Sequence, residues 1–232
     1  MRFVSSFAAL ALSAAPLHAQ GNMGGMNHDP DNKVAGGGVF PAGWVARLDR
    51  PDRGKLEDVK FVAMDKGYHA TMGPAAIFYT AKNNASGNYT LKGTFTQTKA
   101  PSHPEAYGLF TGGKNLDQPN QEYIYYIVRG DGKFMVKHRA GSEVHTIQDW
   151  TDSPAINKAD ANGKATNALA IRSTPDSIVY MANGKMVWAM DRSHAGAGAT
   201  EGTYGIRINH NLDVHVDGFE YVADKAPAKV KK

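Results

Sequence analysis

No cysteine occurs anywhere in the 232 residues, which removes disulfide staples, thiolate metal sites, thiol nucleophiles and a lipid-modified N-terminal Cys together. Helical periodicity is equally scarce: no segment repeats apolar residues at three- and four-residue intervals over the length a surface helix needs. After the N-terminal apolar run Phe3–Ala15, no stretch approaches the roughly 18 apolar residues of a membrane span. The formal charge of +4 is a poor guide to partners. Lys225, Lys229, Lys231 and Lys232 lie in an Ala/Pro/Lys tail and Arg2 in the N-terminal segment. Without that segment and the tail, whose one acidic residue is Asp224, basic and acidic residues balance. A neutral body with no basic motif argues against nucleic acid. No Gly-x-Ser-x-Gly elbow accompanies the Ser, His and Asp residues, so a serine-hydrolase triad has no support.

What is there begins with Arg2, the apolar run and Pro16-Leu17-His18-Ala19, the pattern of a secretory signal peptide cleaved after Ala19. A periplasmic or secreted chain is expected. Residues 20–38 are rich in Gly and Asn and read as a flexible leader. Its Met23, Met26 and His28 are either incidental or soft ligands for copper. The tail, 223–232, reads as basic and disordered. Between them, 39–222 is long enough for one sandwich domain with a substantial core, expected to be monomeric.

The most informative stretch is Glu122 to Trp150, where Tyr, Ile, Val and Phe alternate with polar residues around Gly130-Asp131-Gly132 and Ala140-Gly141-Ser142-Glu143. Two tight turns and three antiparallel strands follow. A three-residue loop with Gly132 left-handed pairs Val128 with Phe134 and Tyr126 with Val136, whereas a two-residue turn would put Arg129 against Phe134. The first register predicts a core face of Ile124, Tyr126, Val128, Phe134, Val136 and Ile147, with His138 opposite His145 at its edge. Tyr123, Tyr125, Arg129, Lys137, Arg139, Thr146 and Gln148 then share the other face with Ile127 and Met135. That face is either solvated or a binding surface.

Strands are also expected at Phe40–Leu48, Val59–Met64, Tyr68–Met72, Ala76–Thr80, Asn88–Thr98, Tyr107–Phe110, Asn167–Arg172, Ser177–Met181, Lys185–Met190, Gly202–His210 and Leu212–Val222. Asn183-Gly184 is a type I′ turn signal. The fold class is all-β, a two-sheet antiparallel sandwich.

Three pieces, in this order and spacing, resemble the concanavalin A-like lectin/glucanase jelly roll and its laminin-G-like members. They are YIYYIVRGDGKFMVKHR followed by IQDWTDSPAIN, then NALAIRSTPDSIVYMANGKMV, then GTYGIRINHNLDVHVDGFEYV. The resemblance spans roughly 88 to 222 and extends to exported 3-keto-disaccharide hydrolase-like domains, which have a similar Gly-Trp start. It implies a carbohydrate or cell-envelope polymer as partner. The glucanase branch needs Glu-x-Asp-x-x-Glu on one strand, so that nucleophile and acid stand about 5 Å apart. That spacing is absent, which favours non-catalytic binding over a glycosidase or lyase; a protein-binding accessory module is the other alternative.

Rings that stack on sugar C–H faces and planar forked donors make Tyr123, Tyr125, Arg129, Arg139 and Gln148 the candidate ligand surface. Trp44, Trp150 and Trp188 are core or rim. In the last strand Leu212, Val214 and Val216 form the buried stripe, and Asp213, His215 and Asp217 line the opposite face. They are either a solvated face with mutual charge compensation or the candidate metal residues, for a structural calcium or a zinc ion. Asp213 and Asp217, about 13 Å apart, are too distant to share one. The His138/His145 pair is either structural or a transition-metal site.

Overall fold

The computed structural model describes residues 30–195 and 199–224. The signal peptide, the leader residues Met23, Met26 and His28, and the lysines of the tail lie outside them. In chain order the strands are β1 (Trp44–Leu48), β2 (Val59–Met64), β3 (Gly67–Met72), β4 (Ala76–Thr80), β5 (Asn84–Ala85), β6 (Tyr89–Gln97), β7 (Ala106–Lys114) and β8 (Glu122–Arg129). They continue with β9 (Lys133–Ala140), β10 (Glu143–Asp152), β11 (Ala165–Ser173), β12 (Ser177–Ala182), β13 (Lys185–Asp191), β14 (Gly202–Ile208) and β15 (Asp213–Ala223). A single helical turn, Arg192–Ala195, follows β13.

One sheet runs β1-β4-β14-β7-β8-β9-β10, with β5 paired to β14; the other runs β13-β12-β11-β6-β15-β3-β2. Every pairing is antiparallel. The expected meander is present: Val128 faces Phe134, Tyr126 faces Val136, and Gly132 takes φ +90. Asn183 and Gly184 both have positive φ, as a type I′ turn requires. β7 is longer than its apolar kernel suggested, because Thr111–Lys114 continues the pairing with β8.

Alternation places Ile124, Tyr126, Val128, Phe134 and Val136 in the main core between the sheets, with Phe61, Phe78, Phe95, Leu169, Ile171, Ile206 and Val216. Trp44 packs at its edge, ring centroids 5.0 Å from Phe61 and 4.8 Å from Tyr68, and Trp188 stacks on Tyr180 at 5.6 Å. Both are partly buried and pack against the core. The described part of the expected leader is tied to the body. The Asn32 amide donates to Asn211 Oδ1 (2.8 Å), the Val34 amide to Asp58 Oδ1 (3.3 Å) and the Gly38 amide to the Val59 carbonyl (2.9 Å).

Candidate functional site

The outer face of the eight-stranded sheet corrects one expectation. Tyr123, Tyr125 and Arg139 do share it with Ile127 and Met135, but it is not solvated at its centre. Tyr123 is 1% exposed, Tyr125 4% and Arg139 5%. Tyr123, Tyr125, Ile127 and Met135 form a second apolar cluster with Ile77, Ala106, Phe110 and Leu116. The cause lies in the neighbouring strands. Gly205 of β14 carries no side chain on this face, so the Phe110 ring of the adjacent β7 packs over it. A Cβ on Gly205 would stand 2.5 Å from the Phe110 ring.

At the bottom of this layer Asp49, just past β1, receives two guanidinium groups. Arg207 of β14 binds it through both terminal nitrogens, one at 2.5 Å, and Arg139 of β9 reaches it at 3.2 Å. Burial alone would raise the Asp49 pKa; Arg207 and Arg139 outweigh it and hold the carboxyl below its ordinary value. Burial pushes the Tyr123 phenol up to about 12, with Asp49 adding to the shift. The Arg207 guanidinium lies 5.0 Å from the Tyr125 ring centroid, a cation–π contact. The Nε atoms of both arginines are buried without a hydrogen-bond partner. One carboxylate therefore serves two buried cations.

Half-exposed groups frame this layer: Arg47, Tyr79, Arg129, Lys137 and Trp150. Arg129 pairs with Asp131 and lies 4.2 Å over the Trp150 ring, which holds that ring in place. Gln148 departs from its expected position. A bulge in β10 between Thr146↔Lys137 and Gln148↔Val136 shifts it out of the outer row into register with core-facing Val136. Its amide instead donates to Thr151 Oγ1 at 2.9 Å.

From Arg207 a polar chain runs toward the end of the sheet. Arg207 donates to Asn209 Oδ1 (3.1 Å), and Asn209 Nδ2 donates to Glu105 Oε2 (2.9 Å). Glu105 Oε1 faces His210 Nε2 at 2.8 Å and His103 Nδ1 at 3.2 Å, and His210 Nδ1 faces Asp31 Oδ1 at 3.0 Å. Asp31, Asp49, Arg50, Arg53, Glu105, Arg207, Asn209 and His210 line a cleft of about 430 Å³. Sequence reasoning missed this group. Its one local trace is His103-Pro104-Glu105, two polar residues at the spacing that puts alternate side chains on one side of an extended chain. Their partner His210 lies 105 residues away.

The other candidates separate. Asp213 is bound by His69 Nε2 at 3.1 Å, by the hydroxyls of Thr71 and Thr98 and by Lys99 at 3.5 Å, while His215 pairs with Asp217 at 3.2 Å. The hydrogen bond from His69, against the opposing effect of burial, holds the Asp213 carboxyl well below the usual carboxylate range. His138 and His145 face each other as expected, ring centroids 6.1 Å apart, each with its own glutamate: Glu122 at 3.2 Å and Glu143 at 3.4 Å. No carboxylate pair of these is a metal cage of six or more oxygens, as calcium prefers.

No family model and no curated protein matches the sequence. Solved structures do match. A carbohydrate-binding module from Bacillus subtilis superposes with a TM-score of 0.57 at 11% identity, covering 83% of this chain and all of that one. A mixed-linkage-glucan glycoside hydrolase from Bacteroides ovatus gives 0.53 at 7% identity over 77% of this chain and 93% of that one. Alginate lyase A1-II′ gives 0.52 at 11% identity over 79% and 95%. At such identities the likeness establishes the architecture: the fold is the concanavalin A-like jelly roll.

Proposed function

We propose that this is an exported, non-catalytic protein that binds carbohydrate on the outer face of its eight-stranded sheet, and that the face favours an acidic saccharide. The observation that carries this reading is the sharing of the one carboxylate of Asp49 by the buried guanidinium groups of Arg139 and Arg207. Arg47 and Lys137 stand half-exposed on the same face. Positive charge over a rigid aromatic layer suits a uronate, whose carboxylate meets the cations while its C–H face meets the Trp150 ring. Tyr123, Tyr125 and Arg139 are then the floor that positions this surface, and Arg129, Lys137 and Trp150 its accessible part. The three superposed proteins bind or cleave carbohydrates by name, which supports the class of ligand. Asp49, kept ionised by two arginines, is a poor proton donor, and a Tyr123 phenol raised to about 12 is a poor base.

The test is calorimetry of the purified chain with a polyuronate and with neutral laminarin at two salt concentrations. Binding of the polyuronate that weakens with salt is expected, and Trp150→Ala and Lys137→Gln should each weaken it about fivefold or more. Equal affinity for laminarin, or variants that bind as well as wild type, would remove this reading. Release of unsaturated or reducing products would move the protein to the enzymes. Export is checked by cell fractionation and the mass of the mature chain, expected to begin at Gln20.

A further inference from the structure

The geometry points to a divalent transition-metal site at His103, Glu105 and His210, of the three-ligand zinc type, with its open position toward the cleft beside Arg207. None of its three ligands belongs to the proposed saccharide surface, although Asn209 links Glu105 to the Arg207 beneath that surface. His103 Nδ1, Glu105 Oε1 and His210 Nε2 lie within 4.8 Å of one another, the two distances to Glu105 Oε1 being 3.2 and 2.8 Å. Ligand atoms about 2.0–2.1 Å from a tetrahedral zinc stand about 3.3 Å apart, so small side-chain adjustments complete the triangle. Two imidazoles and a carboxylate fit a borderline ion such as Zn²⁺, whereas calcium requires a cage of oxygens.

The partners of these ligands are those a metal site needs. Asp31 holds His210 Nδ1, and Asn209 occupies Glu105 Oε2, leaving Oε1 for the ion. The His210 ring also poses a conflict. Neutral imidazole carries hydrogen on one nitrogen only, yet both nitrogens face carboxylates, Asp31 and Glu105. With Nδ1–H donated to Asp31, the Nε2 lone pair confronts Glu105 Oε1 at 2.8 Å. A cation between them resolves this, either a second proton on the ring or a metal ion. Packing sets the arrangement: the Asn209 amide continues the β14–β7 ladder to the Ala106 carbonyl at 2.9 Å, which brings His210 beside Glu105.

The full chain, stripped with EDTA, is titrated near neutral pH with Zn²⁺ by calorimetry and with Co²⁺ by visible absorption. Uptake of about one equivalent is expected, with a Co²⁺ spectrum of nitrogen and oxygen ligands at low coordination number. Glu105→Gln and His210→Ala should weaken uptake about 100-fold or more. Asn209→Ala and Asp31→Asn, which keep all three ligands, should weaken it about tenfold. His215→Ala should leave it unchanged. Zn²⁺ should raise the melting temperature of wild type and not of Glu105→Gln. No uptake by folded wild type would assign the second proton rather than a metal and overturn the proposal. So would uptake that survives both Glu105→Gln and Asp31→Asn with an unaltered Co²⁺ spectrum.

Discussion

Arg139 shows what a residue's neighbours in space add to its place in the sequence. Its strand position and outward direction follow from the alternation around Gly130-Asp131-Gly132. Its burial does not, because the carboxylate that holds it, Asp49, belongs to a segment 90 residues earlier. An exposed arginine could be trimmed at little cost, within about 0.5 kcal/mol. This one is 5% exposed and ion-paired, so Arg139→Ala is expected to destabilise by about 2–3 kcal/mol. Asp49→Asn should cost more, about 3–5 kcal/mol, because it leaves two buried guanidinium groups on a neutral amide. Urea denaturation at neutral pH measures both. A loss below about 0.5 kcal/mol for Arg139→Ala would restore the picture of a solvated face.

Among the elements, the meander was legible because turn chemistry and alternation agree there: Gly132 supplies the left-handed residue, and the apolar set falls on one face only in the register that uses it. The bulge in β10 was not legible, since Ile147 and Gln148 fit an unbroken strand equally well, and the shift appears only in the pairing with β9. In β15 the buried stripe was clear from sequence, but the role of Asp213 was not. It ties β15 to β3 through His69 and to the end of β6 through Thr98. The Asp213 carboxyl has its folded pKa depressed below 3.8, so its contribution is fully present above that value and lost as pH falls through the lower, folded pKa. Asp213→Asn should therefore cost about 2 kcal/mol at pH 7 and progressively less as the solution is acidified below the carboxylate range. Denaturation midpoints of the two proteins compared across pH read this directly; a difference that grows toward acid would contradict it.

For the molecule as a whole, strand count, antiparallel pairing and the two-sheet sandwich follow from many short alternating segments separated by Gly, Asn and Asp turns, each of which votes for the same architecture. The polar assemblies are another matter. Asp49 with Arg207, Glu105 with His210, and Asn32 with Asn211 join positions more than 100 residues apart, and a single sequence carries no trace of such pairs. The N-terminal segment is the sharpest case, since its Gly and Asn content reads as a free leader. Yet Asn32, Val34 and Gly38 donate backbone hydrogen bonds to Asn211, Asp58 and Val59, and Asp31 faces His210. Asn211, at φ +55, also donates from its side-chain amide to the Pro30 carbonyl at 3.3 Å. A free leader could be removed through residue 38 without consequence. A docked one could not: each lost hydrogen bond contributes about 0.5–1.5 kcal/mol, offset by the entropy of the residues released. A chain starting at residue 39 is expected to be about 1–3 kcal/mol less stable than one starting at residue 30, a fall of roughly 3–10 °C in melting temperature for a domain of this size. Both should unfold in one cooperative transition, because the segment lies against the sandwich rather than within its core. Calorimetric scans of the two truncations without added metal decide it, and coincident melting temperatures would show that the contacts at Asn211 and Asp58 hold the segment without stabilising the fold.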